Sequence, residues 1–163
     1  MIIRLANIKD EDKIAMLIAR FRIELKGLRG IDSDINIEES KMEFREYMDK
    51  GYLIFVAENG NKDLIGYLVC MIEDDVVWAE SLFVASECRR AGIASRLYDK
   101  AEELAKKLGE DQVYNWIHPN NHGIISFLSK RGYNVLNLIE VRKPSINEKL
   151  IEKIRVGEHE YSY

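Results

Sequence analysis

Glutamine is almost missing from this chain of 163 residues; Gln112 is the only one. With 32% charged residues, that scarcity matches proteins adapted to heat, and AT-rich coding produces the same bias. Cysteine is scarce too. Cys70 and Cys88 do not form a CxxC pair, which speaks against a zinc site or a disulfide framework. No apolar run approaches a bilayer span, and the first residues lack the apolar segment of a secretion signal. A cytoplasmic protein that does not engage membranes is therefore expected. Positive charge is not in excess: a net charge of −4 gives no support to nucleic acid as a partner. There is no GxxxxGK(S/T) loop and no GxGxxG with its downstream acid, which removes the commonest nucleotide-binding signatures.

What is present fits one domain over residues 1–163, with 47% apolar residues to fill a core. Residues 1–6 read as a strand and 10–28 as a helix with Ile14, Leu17, Ile18, Phe21, Leu25 and Leu28 on one face. Asp10, Glu11 and Asp12 suit the positive end of that helix, and Gly27 and Gly30 break it. A second helix is expected over 38–48. Three β-rich runs follow, 52–57, 64–72 and 76–84. Their short connections, 59–63 and Asp74-Asp75, can join only antiparallel neighbours. An amphipathic helix over 93–108 with Gly109 as its cap leads to a strand over 112–117, a spacing that favours a parallel crossover. Asn120 or Asn121 caps a short helix ending at Arg131, before Gly132. A strand over 133–141, a charged helical stretch over 148–155 and a last strand over 154–163 complete the reading. The fold class is α/β (mixed α+β): a mostly antiparallel mixed sheet of six or seven strands with one splayed parallel pair, and helices on both faces.

The most informative stretch is Arg89-Arg90-Ala91-Gly92-Ile93-Ala94. A glycine turn that opens a helix straight after a strand presents several free backbone N–H groups at the positive helix end, a ready site for a pyrophosphate. The two arginines strengthen the expectation of a phosphate-bearing cofactor.

Arg89-x-x-Gly92-x-Ala94, placed after a meander and at the start of a crossover helix, resembles the main signature of the GCN5-related N-acetyltransferase (GNAT) superfamily. A second signature resembles the family as well: Asn121 opens a short helix that closes on Gly132 and Tyr133. The resemblance spans about residues 2–141. It implies acetyl-CoA as acyl donor and an amine acceptor. The pyrophosphate is expected on the N–H groups of Arg90, Ala91, Gly92, Ile93, Ala94 and Ser95, beside Arg89. Gly92 is expected to keep close approach open. The pantetheine arm is expected to pair like a strand with the backbone of Leu82, Phe83 and Val84, where one N–H would also polarise the thioester carbonyl. Asn121 would hold the arm or a water, with Phe127 packed against it. One departure stands out. Many relatives carry on the short helix a Tyr that protonates the leaving thiolate; this chain has Leu128, which has no proton to give.

An alkylammonium with a pKa of about 10.4 must lose a proton before it attacks. Glu80 is the expected base, as it is at the matching place in some relatives; a solvent-facing Glu80 at a strand edge is the competing reading. Arg20, Arg22, Glu24 and the loop 28–37 are candidates for the acceptor cleft, with Glu24, Asp32 and Asp34 suited to a cation. Tyr98, Trp78 and Trp116 read as core, Cys70 as a core thiol and Cys88 as a loop residue. His118 and His122 flank Pro119 in a loop, so no metal site is expected. Pairing through the C-terminal strand is one route to a homodimer. Two functions follow: an N-acetyltransferase acting in a ternary complex, or a non-catalytic acyl-CoA-binding module that lacks the acid at Leu128.

Overall fold

Strand alternation organises the molecule. The computed structural model describes every residue except Asn147, Lys149 and Ile151. The chain forms two compact units, Met1–Trp116 and Ile117–Tyr163.

The first unit carries a five-stranded sheet in sequence order: β1 (Ile2–Leu5), β2 (Leu53–Glu58), β3 (Leu64–Glu73), β4 (Val76–Val84) and β5 (Val113–Asn115). The first four pair antiparallel, and β5 lies parallel to β4. The β3–β4 turn explains itself: Asp74 and Asp75 both take positive φ, 50° and 64°, the twist that matches a two-residue hairpin. On β3, Tyr67 and Val69 face one side and Gly66 and Leu68 the other. Helices α1 (Glu11–Gly27) and α2 (Ile37–Asp49) cover the Tyr67 side, where Ile14, Leu17, Ile18 and Phe44 meet Ile54, Val56, Val69 and Phe83. Helix α3 (Ile93–Lys107) covers the opposite side and packs Leu97 against Gly66. Gly109, at φ +89°, ends that helix as expected. Cys70 is fully buried on β3, and burial pushes its thiol up to about 12.

A clip holds β1 to the start of α1. The Arg4 guanidinium donates to both Asp10 carboxylate oxygens at 2.8 Å, and the Asn7 N–H donates to one of them at 2.9 Å. Asp10 is only 7% exposed. The Arg4 bond lowers its carboxyl below the usual range, outweighing the burial that would raise it. A carboxyl depressed in the folded state contributes stability above its unfolded pKa of about 3.9 and loses that contribution as pH falls. Calorimetry on Asp10→Asn should therefore record a smaller drop in Tm between about pH 5 and pH 2 than in the parent. Equal drops would remove Asp10 from the acid limb.

The second unit contains α4 (His122–Lys130) and a separate two-stranded sheet, β6 (Lys153–Val156) against β7 (His159–Ser162). The Asn121 side chain caps α4, accepting the Ile124 N–H at 3.3 Å, and Gly132 follows at φ +91°.

Three sequence expectations change here. Residues 133–141 form no strand; their Val135, Leu136 and Leu138 lie 85%, 67% and 78% exposed, so the apolar run that signalled a strand finds no partner within the described residues. The main sheet accordingly has five strands, and the remaining two form the separate hairpin. The helix expected over 148–155 is replaced at its end by β6; Asn147, Lys149 and Ile151 lie outside the described residues.

Candidate active site

β4 pairs with β5 only through Val77, Trp78 and Ala79. It then continues to Val84 with no partner on that side among the described residues. An unpaired strand edge carries free N–H and C=O groups along its length. Phe83 and Val84 are 3% and 7% exposed and Leu82 is half-buried.

Glu80 sits at the start of the open edge, on a β-bulge. Val69 faces Ser81 and Cys70 faces Ala79 across the β3–β4 ladder, which leaves Glu80 as the extra residue. A bulge re-aims side chains. The half-buried Glu80 acts electrostatically on two groups of the α2 side, Tyr47 and Lys50. Burial is the main reason the Tyr47 phenol is raised; Glu43, which accepts a hydrogen bond from its hydroxyl, and Glu80 push the same way.

Beyond Val84 comes the glycine turn. Arg90 takes φ +66° and Gly92 φ +74°, and Gly92 is the N-cap of α3 without any side-chain cap. The first N–H to bond back into the helix is that of Arg96, to the Gly92 carbonyl at 3.1 Å. The N–H groups ahead of it therefore have no helical acceptor. Arg89 is committed elsewhere: its Nε donates to the Val84 carbonyl at 2.8 Å, and its Nη2 to both Glu24 carboxylate oxygens at 2.7 Å. It ties the turn to β4 and to α1.

A Cβ on Gly92 would meet no protein atom within 4 Å, so within the protein the need for glycine is conformational. The left-handed φ costs an L residue about 1–2 kcal/mol. Gly92→Ala should lower stability by about 1 kcal/mol and weaken acetyl-CoA binding by more than tenfold, because the turn relaxes away from the shape that gathers the donors. Titration calorimetry checks this; unchanged affinity would separate the turn from the cofactor.

Residues 21–133 match the family model of the acetyltransferase (GNAT) family, well over half of the chain. The chain belongs to the GNAT family. A curated relative, an uncharacterized N-acetyltransferase of Methanocaldococcus jannaschii, is 29% identical over 93 residues, covering 53% of this chain and 41% of that protein. The chain thus matches less than half the length of that relative. Among solved structures, the BH1408 protein of Bacillus halodurans superposes with a TM-score of 0.72 at 18% identity, over 88% of this chain and 99% of that one. The apo aminoglycoside 6'-N-acetyltransferase of Acinetobacter haemolyticus superposes with a TM-score of 0.62 at 21% identity, over 93% and 100%. At such identities these two likenesses concern the fold.

Within this GNAT chain, the first unit brings Glu80, Leu82, Phe83, Val84 and the stretch from Arg89 to Ser95 into one continuous path. Asn121 and Phe127 belong to the second unit, on the cap and body of α4, where Leu128 is buried at 2% exposure. The charged residues of α1 expected at the acceptor, Arg20, Arg22 and Glu24, are already engaged. Arg20 holds Glu87 through Nη2–Oε2 at 2.6 Å and draws its carboxyl down to about 2, and Arg22 is forked onto Glu43. Loop residues Ile31, Asp32, Ser33 and Asp34 line a cleft of about 290 Å³ with Ile23 and Gly27.

Tyr98 is core as expected, with its hydroxyl donating to Asn115 at 2.9 Å. Trp116 is not: it is 57% exposed and stacked on Trp78. Sequence reading also missed a pair of buried hydroxyls, Tyr67 and Ser81, which interact with each other. Only the packing of α1 and α2 over β3 and β4 makes them buried, and no local signal marks them.

Proposed function

We propose that this chain, as a single domain over residues 1–163, transfers an acetyl group from acetyl-CoA to a primary amine by direct attack in a ternary complex. The observation that carries the reading is one path: Glu80 on its bulge, then the open edge of β4, then the donor turn that opens α3. The donor set fits the cofactor. Uncapped N–H groups at a helix N-terminus suit a pyrophosphate, and an unpaired edge suits an amide-bearing arm.

When bound, acetyl-CoA supplies the acetyl group as a thioester, from which the amine nitrogen displaces the thiol. Glu80 accepts the proton that the ammonium must lose before its nitrogen becomes a nucleophile. A backbone N–H on the edge from Leu82 to Val84 holds the carbonyl oxygen and favours the negative charge that grows there. Arg89 keeps the turn against β4 through the Val84 carbonyl, which preserves the spacing between edge and donors. Leu128 contributes no proton, so the thiolate, with a pKa of about 8.5 if it resembles Cys, leaves without an acid from that position.

A second reading, a non-catalytic acyl-CoA-binding module, rests on Leu128 alone. Thiol release from acetyl-CoA over a panel of primary amines separates the two, with cofactor affinity measured in parallel. Release with one class of amine supports the transferase. Tight cofactor binding without release on any amine supports the module.

A further inference from the structure

Trp78 and Trp116 are the only tryptophans of the chain. The fold stacks them, with ring centroids 4.3 Å apart and 18° between planes, and Tyr114 lies 5.0 Å from Trp78. Strand register is the cause. Trp78 is opposite Tyr114, and Trp116 follows two residues later on the same face. Ala79 opposite Asn115 is the last pair of the ladder, so Trp116 and Glu80 are the first residues past it on their two strands, where the strands part.

Glu80 shares that face. Met71 is opposite Trp78 and accepts the Tyr52 hydroxyl at its sulfur at 3.0 Å. Tyr52 in turn stacks on Tyr47 at 5.8 Å, and the Glu80 charge is felt at Tyr47 and at Lys50. A half-exposed indole pair therefore flanks the carboxylate expected to receive the ammonium. Single exposed apolar residues need no explanation; a stacked pair beside a candidate base does.

The charges nearby choose the occupant. Lys50 already places its ammonium over the Tyr52 ring, 5.9 Å from the centroid. Lys50 is itself paired to Glu46 at 2.6 Å and Arg22 to Glu43, so neither carboxylate is open to the second ammonium of a polyamine. A neutral ring carrying one amine extends the aromatic stack and leaves a single ammonium for Glu80.

We propose that the acceptor is an arylalkylamine whose ring stacks on the Trp78–Trp116 pair and whose amine is directed to Glu80. The proposal rests on the acetyltransferase reading for its chemistry, but binding tests it separately. Because the pair contains both tryptophans, intrinsic fluorescence reports on this surface alone. The full chain with coenzyme A present is titrated with 2-phenylethylamine, 2-cyclohexylethylamine, spermidine and 2-phenylethanol. Expected is a saturable fluorescence change with 2-phenylethylamine at the lowest concentration. Trp116→Ala should weaken it about tenfold, and Trp116→Phe should restore it to within about twofold. Acetyl-CoA affinity, measured alongside, reports whether the variants keep their fold. Tighter binding of spermidine, equal binding of the cyclohexyl compound, or indifference to Trp116→Ala overturns the proposal. The same amines in a thiol-release assay separate the two claims. Aromatic binding without release leaves the surface standing and removes the catalytic reading. Release with aliphatic amines, unaffected by Trp116→Ala, does the reverse.

Discussion

Glu80→Gln should reduce turnover by at least about a hundredfold while leaving acetyl-CoA affinity within about twofold. The substitution keeps the shape of the side chain and removes only its capacity to take a proton. Glu80 lies on the bulge ahead of the open β4 edge, away from the turn at Arg90 to Ser95 where the cofactor phosphates are expected, so cofactor binding has no reason to change. A pH series gives the result its meaning. An alkylamine with a pKa near 10.4 supplies its own free base as pH rises, so the deficit of the variant should shrink towards alkaline pH if Glu80 acts as base. A deficit that stays constant with pH would instead make Glu80 a positioning residue. Turnover within twofold of the parent at neutral pH would return Glu80 to the solvent-facing reading.

The largest expected loss of stability comes from Gly66→Val. A Cβ at residue 66 would lie 2.8 Å from the Phe83 carbonyl oxygen, 3.2 Å from Val84 Cγ2 and 3.3 Å from Leu97 Cδ1. The first of these is backbone at the end of the β3–β4 ladder, where Gly66 pairs with Val84, and it cannot move without opening the last pairs of β3 and β4. Overpacking of this kind costs about 3 kcal/mol, or roughly 10 °C in Tm for a chain of this size. The displaced backbone is that of Phe83 and Val84, so acetyl-CoA affinity should fall as well. Gly60→Ala is the control: a Cβ there meets nothing within 4 Å, and the change should stay within about 0.5 kcal/mol. Thermal unfolding of the two variants side by side checks the contrast. Equal melting temperatures would mean that β3 and β4 can separate at Gly66 without cost.

Much of the fold was legible because its signals are local. The hairpin at Asp74-Asp75, the stripe of Leu97, Tyr98, Ala101 and Ala105 on α3, and the Asn121 cap all depend on residues within a few positions of one another. The donor turn belongs with them, since a strand end, a glycine and a helix start are contiguous. The same local reading misjudged residues 133–141, where β-branched and leucine residues met the strand pattern. A strand needs a partner, and that is decided elsewhere in the chain.

Composition, the turn at Arg89 to Ala94 and the Asn121 helix were thus determined by the sequence itself, because backbone conformation and helix capping are short-range. The tertiary structure alone decided the rest. It put Glu80 on a bulge, which exists only as a mismatch between two strands. It tied Arg89 to the Val84 carbonyl and to Glu24, the latter a partnership across 65 residues. It made Gly66 a contact point for three elements, and it left two tryptophans that read as core stacked at the surface where β4 and β5 separate. Each of these depends on register and packing between distant segments, which side-chain periodicity along one segment does not encode.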